Sequence, residues 1–229
     1  MLLLGGPDPL SAAATLILRA LLAECGSVAV QVRGAQKLPL GMVDGVSIQG
    51  DRWCSPGKLS CRSLDFQVGT AEIDTGALFA SQRITFRRPV HGVANVAFDG
   101  ADFARFLAHP LVGGSARECG LEFARARASI DISSGVAFEG IWRGKPARAF
   151  LRRSSRPGGF QIHAGEGCSG EAEAALDAWF RMLRVDLDGP LVGPVRSLKI
   201  VPGVARAPAT VQLQLDLAVT RFPSLPPKF

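Results

Sequence analysis

The feature that most constrains the fold of this chain is a glycine-punctuated segment followed by stretches with an apolar residue at every second position. The segment LPLGMVDGVSIQG covers residues 38–50, and LSCRSLDFQV follows at residues 59–68. In the second stretch Leu64, Phe66 and Val68 share one face, because successive side chains of a strand point to opposite sides. This pattern indicates half-buried β-strands.

The alternation continues through the rest of the chain. It recurs in residues 82–100 and 121–132, and each of these stretches predicts a further strand. Residues 136–142 and 147–153 flank the turn sequence RGKP and predict a hairpin. Further short strands are expected at residues 159–164, 195–201 and 210–219.

Two longer helices are expected at the two ends of the chain. Asp8 is a suitable N-cap, Pro9 a suitable first residue and Gly26 a suitable stop, so one helix is predicted over residues 8–25. It is apolar around most of its girth, which favours packing on a wide surface such as the concave side of a sheet. The other helix, EAEAALDAWFRMLR at about residues 171–184, has acidic residues in its first turn and arginines in its last.

These elements predict an α+β fold in a single domain over residues 1–229. The N-terminal helix would pack on a strongly curved antiparallel sheet built from about residues 28–98 and 121–164. A short helix is expected within residues 99–112, capped by Asp99 and ended by Pro110. The second long helix precedes the C-terminal strands.

The surface charge is dominated by arginine. The net charge is +6, and only five of the 26 basic residues are lysine. Arginine favours two-point contacts with phosphate or carboxylate groups, although arginine in place of lysine on an ordinary surface gives the same composition. The five cysteines are too few and too scattered for a disulfide scaffold, and they predict buried, reduced thiols, although Cys54 and Cys61 could face each other across a turn.

The apolar N-terminal region does not predict a membrane span. Arg19 interrupts the run at residues 10–23, Glu24 ends it, and the run is shorter than the ~20 residues that a spanning helix needs. No basic residue precedes it, as one would in a signal peptide. We therefore expect a cytoplasmic protein with at most peripheral contact with an anionic membrane.

The sequence carries no strong enzymatic signal. GEGCSG at residues 165–170 matches the spacing of a dinucleotide-binding loop, but it stands in an isolated strand-to-helix unit. His91, His109 and His163 are scattered, and no hydrolase, metalloprotease or phosphate-loop motif is present. We expect a non-enzymatic protein with no catalytic residue, no metal site and no cofactor.

Two binding functions remain open on charge alone. A basic module could dock an acidic partner or a nucleic acid, with its core filled by side chains. Nucleic acid is not the expected partner, because the chain has no tyrosine and its aromatic residues fall mostly in apolar stripes rather than on a basic face.

The order of segments resembles one known family. An apolar helix precedes LPLGMVDGVSIQG, which is followed by CRSLDFQVGTAEIDTGALF at residues 61–79, alternating strands and DFARFLAHPLV at residues 102–112. This order is similar to the LmeA-like phospholipid-binding family, whose members resemble tubular lipid-binding proteins. The resemblance covers most of the chain and is clearest before residue 112. It implies a helix against a curved sheet, an apolar groove for acyl chains and a phospholipid partner.

Acyl-chain binding needs apolar walls, and anionic headgroups need basic residues at the groove mouth. The candidate walls are Leu18, Leu22, Leu64, Phe66, Phe79, Phe103, Phe106, Trp179 and Phe180, each of which equally suits plain core packing. The candidate headgroup contacts are Arg143, Lys145, Arg148, Arg152, Arg153 and Arg156, in a run without acidic residues that equally suits a solvated hairpin. A second basic cluster comprises Arg83, Arg87 and Arg88.

Overall fold

The computed structural model describes residues 8–74, 76, 85–123, 126–131, 135–154, 159–165, 167–187, 190–203 and 208–221. Within them the chain forms an α+β protein with three antiparallel sheets, the largest of which is curved into a half-barrel. This confirms the fold class and the curved sheet predicted above. The helices are α1 (Pro9–Leu21), α2 (Gly100–Ala108), α3 (Pro110–Glu118) and α4 (Gly170–Met182), with a 3-10 helix at Ala35–Leu40.

Seven strands form the largest sheet: β1 (Ser27–Arg33), β3 (Gly45–Cys54), β4 (Ser60–Val68), β6 (Thr85–Phe98), β12 (Val185–Asp186), β13 (Pro190–Val201) and β14 (Thr210–Arg221). Their order is β1-β3-β4-β6-β14-β13-β12. The five-stranded sheet contains β7 (Leu121–Glu122), β8 (Ala128–Asp131), β9 (Gly135–Trp142), β10 (Lys145–Arg153) and β11 (Phe160–Ala164). Two short strands, β2 (Met42–Val43) and β5 (Ala71–Glu72), pair with each other.

The inner face of the seven-stranded sheet is apolar and its outer face is largely polar. Leu64, Val96 and Leu213 lie side by side on β4, β6 and β14 and are buried. The next residues along, Asp65 on β4 and Gln214 on β14, lie on the outer face. This alternation is the period-two pattern of the sequence realised in a sheet with one packed face.

Gly92 allows a close approach between β6 and β4. A Cβ atom at this position would overlap the carbonyl oxygen of Gln67 on β4. Glycine kinks of this kind let a long strand curve while it stays paired with both neighbours. β6 can therefore pair with β4 and β14 within one strongly curved sheet.

Helix α1 begins where the sequence predicts and ends earlier than predicted. The Asp8 side chain accepts hydrogen bonds from the amides of Leu10 and Ser11, and the helix stops at Leu21 rather than near residue 25. Beyond it the backbone becomes extended, and Ala23 donates to the carbonyl of Cys54 at the end of β3.

Helix α1 lies along the outer edge of β1 and not across the concave side of the sheet. The Val30 amide donates to Thr15 Oγ1 at 2.8 Å, and the Val32 amide donates to Ser11 Oγ at 2.9 Å. Ser11 and Thr15 are four residues apart and share one helix face. Their hydroxyl groups thus satisfy backbone donors that an edge strand leaves unpaired.

The strands between residues 121 and 164 form a separate sheet, so the expected single curved sheet is divided in two. The predicted hairpin is present: β9 and β10 pair around Arg143 and Gly144, whose φ angles of 47° and 80° suit a two-residue turn. The strand expected over residues 121–132 is interrupted. The interruption includes Phe123, which is buried. The centroid of its ring lies 5.2 Å from that of the Trp179 ring.

Pro110 follows one helix and is the first residue of the next. The sequence analysis predicts the end of the first helix there but not the second helix. The His109 side chain caps α3 by accepting from the amide of Leu111, and Pro110 occupies the first helical position. The Trp179 indole of α4 donates to Ser115 Oγ of α3 at 3.1 Å, which ties these two helices together.

The main core lies between the two larger sheets and the helices α2, α3 and α4. It includes the inner faces of β6, β13 and β14 and a set of aromatic rings in contact: Phe98, Phe103, Phe106, Phe123, Phe138, Phe160, Trp179 and Phe180. A second apolar cluster lies near β1, β2 and β5, and it adjoins the main core through Val68 and Phe86.

Candidate functional site

The structure places the predicted groove walls in three different environments. Five of them are buried in the main core: Leu64, Phe103, Phe106, Trp179 and Phe180. Leu18 and Leu22 are half-buried in and just after α1, and Phe66 is half-buried on the inner face of β4. Phe79 lies outside the described residues. The five core residues pack against other side chains, and the three half-buried candidates keep part of their surface accessible.

The second apolar cluster is less completely covered than the main core, and we call it the concave end. Val43, Val46, Ala71 and Val90 are buried there. Around them lies a set of apolar side chains that are only half-buried: Val30, Val32, Ile48, Val68 and Phe86. The inner face of the half-barrel is thus apolar at this end but remains partly accessible.

Four exposed aliphatic residues lie on the two segments that flank β1, and we call them the apolar rim. Leu16 and Ile17 of α1 are 69% and 53% exposed. Leu38 and Leu40 of the 3-10 helix are 37% and 79% exposed. Only three other large aliphatic residues in the described part of the chain are comparably exposed, and they are dispersed: Leu111, Ile141 and Met182. Leu16 and Ile17 thus expose apolar surface on α1, and Leu38 and Leu40 expose it on the 3-10 helix that follows β1.

Basic side chains accompany the concave end. Arg87 and Arg88 directly follow Phe86 on β6 and are exposed. Arg83, the third member of this sequence cluster, lies outside the described residues. Arg19 is exposed in the last turn of α1. These cations could meet anionic groups beside the apolar rim.

The predicted headgroup residues lie on the other large sheet. The guanidinium groups of Arg148 and Arg152 lie 5.5 Å and 5.4 Å from the ring centroid of Phe150, on the outer face of β10. Arg143 stacks on Trp142 at 4.6 Å and reaches Glu171 at 3.4 Å. We call this group, with the exposed Lys145, the arginine surface.

Arg148 and Arg152 face away from the core, whereas Arg143 stacks on Trp142, which packs against the core. Phe138 and Ala149 of β9 and β10 point into the main core, whereas Arg148 and Phe150 occupy the alternate positions. Arg156 lies outside the described residues, as does the side chain of Arg153. Arg148 and Arg152 thus lie on the side of the five-stranded sheet opposite the main core.

A surface cleft of about 470 Å³ adjoins the arginine surface. Its lining comprises Glu122, Glu139, Gly140, Ile141, Pro146, Ala147, Arg148 and Gly167. No local pattern in the sequence predicts the two glutamates as neighbours, because they are distant in the chain and meet only when β7 pairs with β9.

The buried polar groups serve structural roles. Ser60 Oγ donates to Asp102 Oδ1 at 2.7 Å, and Arg105 donates to both, which ties α2 to β4. Burial raises the pKa of the Cys61 thiol to about 12, so this thiol stays protonated and is a poor nucleophile. All five cysteines are free, and Cys54 lies opposite Ser60 rather than opposite Cys61.

Other classes of site were sought in the described residues. They contain no group of three histidine, cysteine, aspartate or glutamate side chains placed to hold a metal ion. They also contain no helix that is both long enough and apolar enough to span a bilayer.

No family model, curated protein or solved structure matches the chain. The resemblance to the LmeA-like family therefore stays a prediction.

Proposed function

We propose that this protein is a non-enzymatic lipid-binding protein that contacts a lipid surface through its apolar rim. The observation that supports this most directly is the concentration of Leu16, Ile17, Leu38 and Leu40 on the segments flanking β1. Clustered exposed apolar residues mark surfaces that meet a membrane or another protein.

The energies are sufficient for reversible binding. Moving a partly exposed aliphatic side chain out of water contributes on the order of 1 kcal/mol, and the rim supplies four such side chains. Each arginine near an anionic surface adds about 1 kcal/mol, and Arg19, Arg87 and Arg88 are exposed at this end. Together these terms give peripheral association rather than permanent insertion.

The concave end supplies the acyl-chain site in this proposal. Val30, Ile48 and Phe86 are half-buried there, next to the edge that α1 covers. An acyl chain laid along them would remove apolar surface from water. Phospholipid is the proposed ligand class, and transfer between membranes is a possible use of such a site.

Vesicle flotation tests the rim with a matched control. Leu16→Ser should lower partitioning onto phospholipid vesicles about three- to tenfold, since roughly 1 kcal/mol of apolar contact is lost. Met182→Ser is the control, because Met182 also lies on a helix, is 65% exposed and is not part of the rim. Equal loss in both variants, or in neither, would contradict the proposal.

Native mass spectrometry tests the acyl-chain site separately. The purified protein should carry, or take from vesicles, one phospholipid that is released on denaturation. Ile48→Gln should reduce that occupancy, whereas Gln49→Ala on the opposite face of β3 should not. Failure to take up any lipid would remove the acyl-chain site even if the rim binds vesicles.

Docking of an acidic protein is the second candidate function. It is favoured by the arginine surface, where Phe150 holds two guanidinium groups on a solvent-facing sheet. In that case an acidic polypeptide would bind through Arg148 and Arg152, and Leu16→Ser would leave the interaction unchanged.

A further inference from the structure

Helix α1 turns its polar side chains toward the sheet. Ser11 and Thr15 are four residues apart on one helix face. Their hydroxyl groups accept from the amides of Val32 and Val30 on β1. Every residue of α1 is described, and Ser11 is the one among them that is buried. The helix is therefore attached to β1 through polar contacts.

The opposite side of α1 carries an apolar stripe that faces solvent. Four residues at the spacing i, i+3, i+4, i+7 share this side, and we call them the outward stripe: Ala13, Leu16, Ile17 and Ala20. All four are exposed. A surface helix of a globular protein ordinarily turns such a stripe toward the core. The amphipathic character of α1 is thus inverted relative to its own sheet.

The size of the outward stripe favours a lipid surface over a protein partner. From Ala13 to Ala20 the stripe is roughly 10 Å long, because an α-helix rises about 1.5 Å per residue. A stable protein–protein interface buries about 800 Å² and roughly 20–30 residues on each side. Four side chains, two of them alanine, supply only a small part of such an interface. A lipid surface sets no such minimum, because interfacial helices bind in proportion to the apolar area that they bury.

Charge contributes little to this contact. Arg19 is the only charged residue within α1, and it is exposed one turn beyond Leu16. Electrostatic binding to an anionic leaflet takes a cluster of several basic residues. The attraction of α1 to lipid must therefore come mainly from the apolar area of the outward stripe.

We propose that α1 is a preformed interfacial helix that binds loosely packed lipid, even where that lipid carries no net charge. This inference rests on the proposed lipid-binding function and adds which lipid surface is preferred. The outward stripe would lie in the plane of the interface while Ser11 and Thr15 keep their contacts with β1. Because the stripe is short and half of it is alanine, it enters only where acyl chains are exposed between headgroups. Binding of this kind depends on curvature and lipid composition.

Flotation on uncharged vesicles tests the preference. The full chain should bind several-fold more strongly to small sonicated vesicles of dioleoyl-phosphatidylcholine than to large extruded vesicles of the same lipid, because curvature separates the headgroups. Added salt should change this binding little, since screening acts on charges. Equal binding to both kinds of vesicle, or binding only when anionic lipid is added, would overturn the inference and leave the proposed function standing. No binding to any vesicle would overturn both.

A gain of binding tests the outward stripe without altering the core. Ala20→Leu enlarges the stripe and should raise partitioning onto the small vesicles about three- to tenfold, the effect of one larger aliphatic side chain. Ala178→Leu is the matched control, because Ala178 is an exposed alanine of α4 outside the stripe. If both variants bind equally well, the outward stripe is not the contact.

Hydrogen exchange and sedimentation test the two remaining alternatives. On vesicles the amides of Val30 and Val32 should stay as protected as in solution, because α1 remains on β1. Faster exchange would show that α1 leaves the sheet and would contradict binding as a docked helix. Sedimentation equilibrium should show a monomer. A dimer that Leu16→Ser dissociates would assign the stripe to a second copy of the chain and overturn the inference.

Discussion

His109 is held by two hydrogen bonds that require opposite roles of its ring nitrogens. Its Nε2 lies 3.1 Å from the Gly57 carbonyl oxygen, to which it must donate, and its Nδ1 accepts from the Leu111 amide at 3.3 Å. Both bonds exist only in the neutral ring, because a protonated Nδ1 cannot accept. Burial lowers the pKa of His109, although the bond to Gly57 acts in the opposite direction.

The free energy of unfolding should fall as the pH is lowered through the unfolded-state pKa of His109, about 6.5, and then through its lower folded-state pKa. The sign follows because the unfolded chain binds the proton more readily than the folded chain. His109→Asn keeps an N-cap acceptor and should reduce this pH dependence in chemical denaturation. His91→Asn, on the exposed face of β6, is the control. Identical pH profiles for both variants would contradict the assignment.

Gly92 allows a second residue-scale test. Gly92→Ala should destabilise the protein by roughly 1–3 kcal/mol, because the added methyl group overlaps the Gln67 carbonyl oxygen and β6 must shift. Gly113→Ala is the control, and its expected effect has the opposite sign. Gly113 lies in α3, and an added Cβ would meet no atom within 4 Å. The free energy of unfolding should therefore rise by about 0.5–1 kcal/mol, because alanine is favoured over glycine within a helix. Thermal and urea unfolding measure both. Equal effects would argue against a required bend at Gly92.

Helix α1 acts as a cover for a sheet edge. Its hydroxyl groups hold the amides of Val30 and Val32, while Leu16 and Ile17 remain exposed on it. The same element thus combines a polar, hydrogen-bonding side and an apolar, solvent-facing side. Only some of the apolar residues around α1 therefore pack against the rest of the protein.

Removing the hydroxyl groups should loosen α1 without damaging the core. Ser11→Ala with Thr15→Val should cost about 1–3 kcal/mol, because two backbone donors lose their partners. Hydrogen exchange at Val30 and Val32 should become faster. Ser27→Ala, at the exposed start of β1, is the control. Unchanged exchange at both amides in the double variant would show that α1 does not protect this edge.

The elements that could be predicted are those with local signals. Asp8, Asp99 and the two-residue turn at Arg143 mark their boundaries directly. Helix α3 was missed because Pro110 is read as a stop and Gly113 has low helix propensity. Between β7 and β8, Phe123 meets Trp179, a contact that no periodicity in the sequence shows.

At the scale of the whole molecule, the sheets separate two kinds of surface. The apolar rim flanks one edge of the seven-stranded sheet, and the arginine surface occupies the outer face of the five-stranded sheet. The arrangement of the candidate site was the least predictable feature, because its residues lie on two different sheets. The run from Arg143 to Arg156 and the aromatic stripes are each evident in sequence, but their relative placement depends on which strands share a sheet.

Charge reversal tests the arginine surface as a membrane contact. Arg148→Glu with Arg152→Glu should weaken binding to anionic vesicles at least about tenfold, since each cation contributes about 1 kcal/mol near such a surface. The loss should shrink at high salt. Lys199→Glu, on β13 of the other sheet, is the control. Equal binding by the double variant and the control would assign membrane contact to the apolar rim alone.

The pairing of β6 with β14 also constrains how the chain matures during synthesis. Phe98 pairs with Val211, so the middle of the largest sheet joins segments more than a hundred residues apart. Until the ribosome has released the residues of β14, the side of β6 opposite β4 has no partner strand. While the residues between β6 and β14 are being made, the nascent chain therefore carries an unpaired strand edge on β6, and such edges favour aggregation.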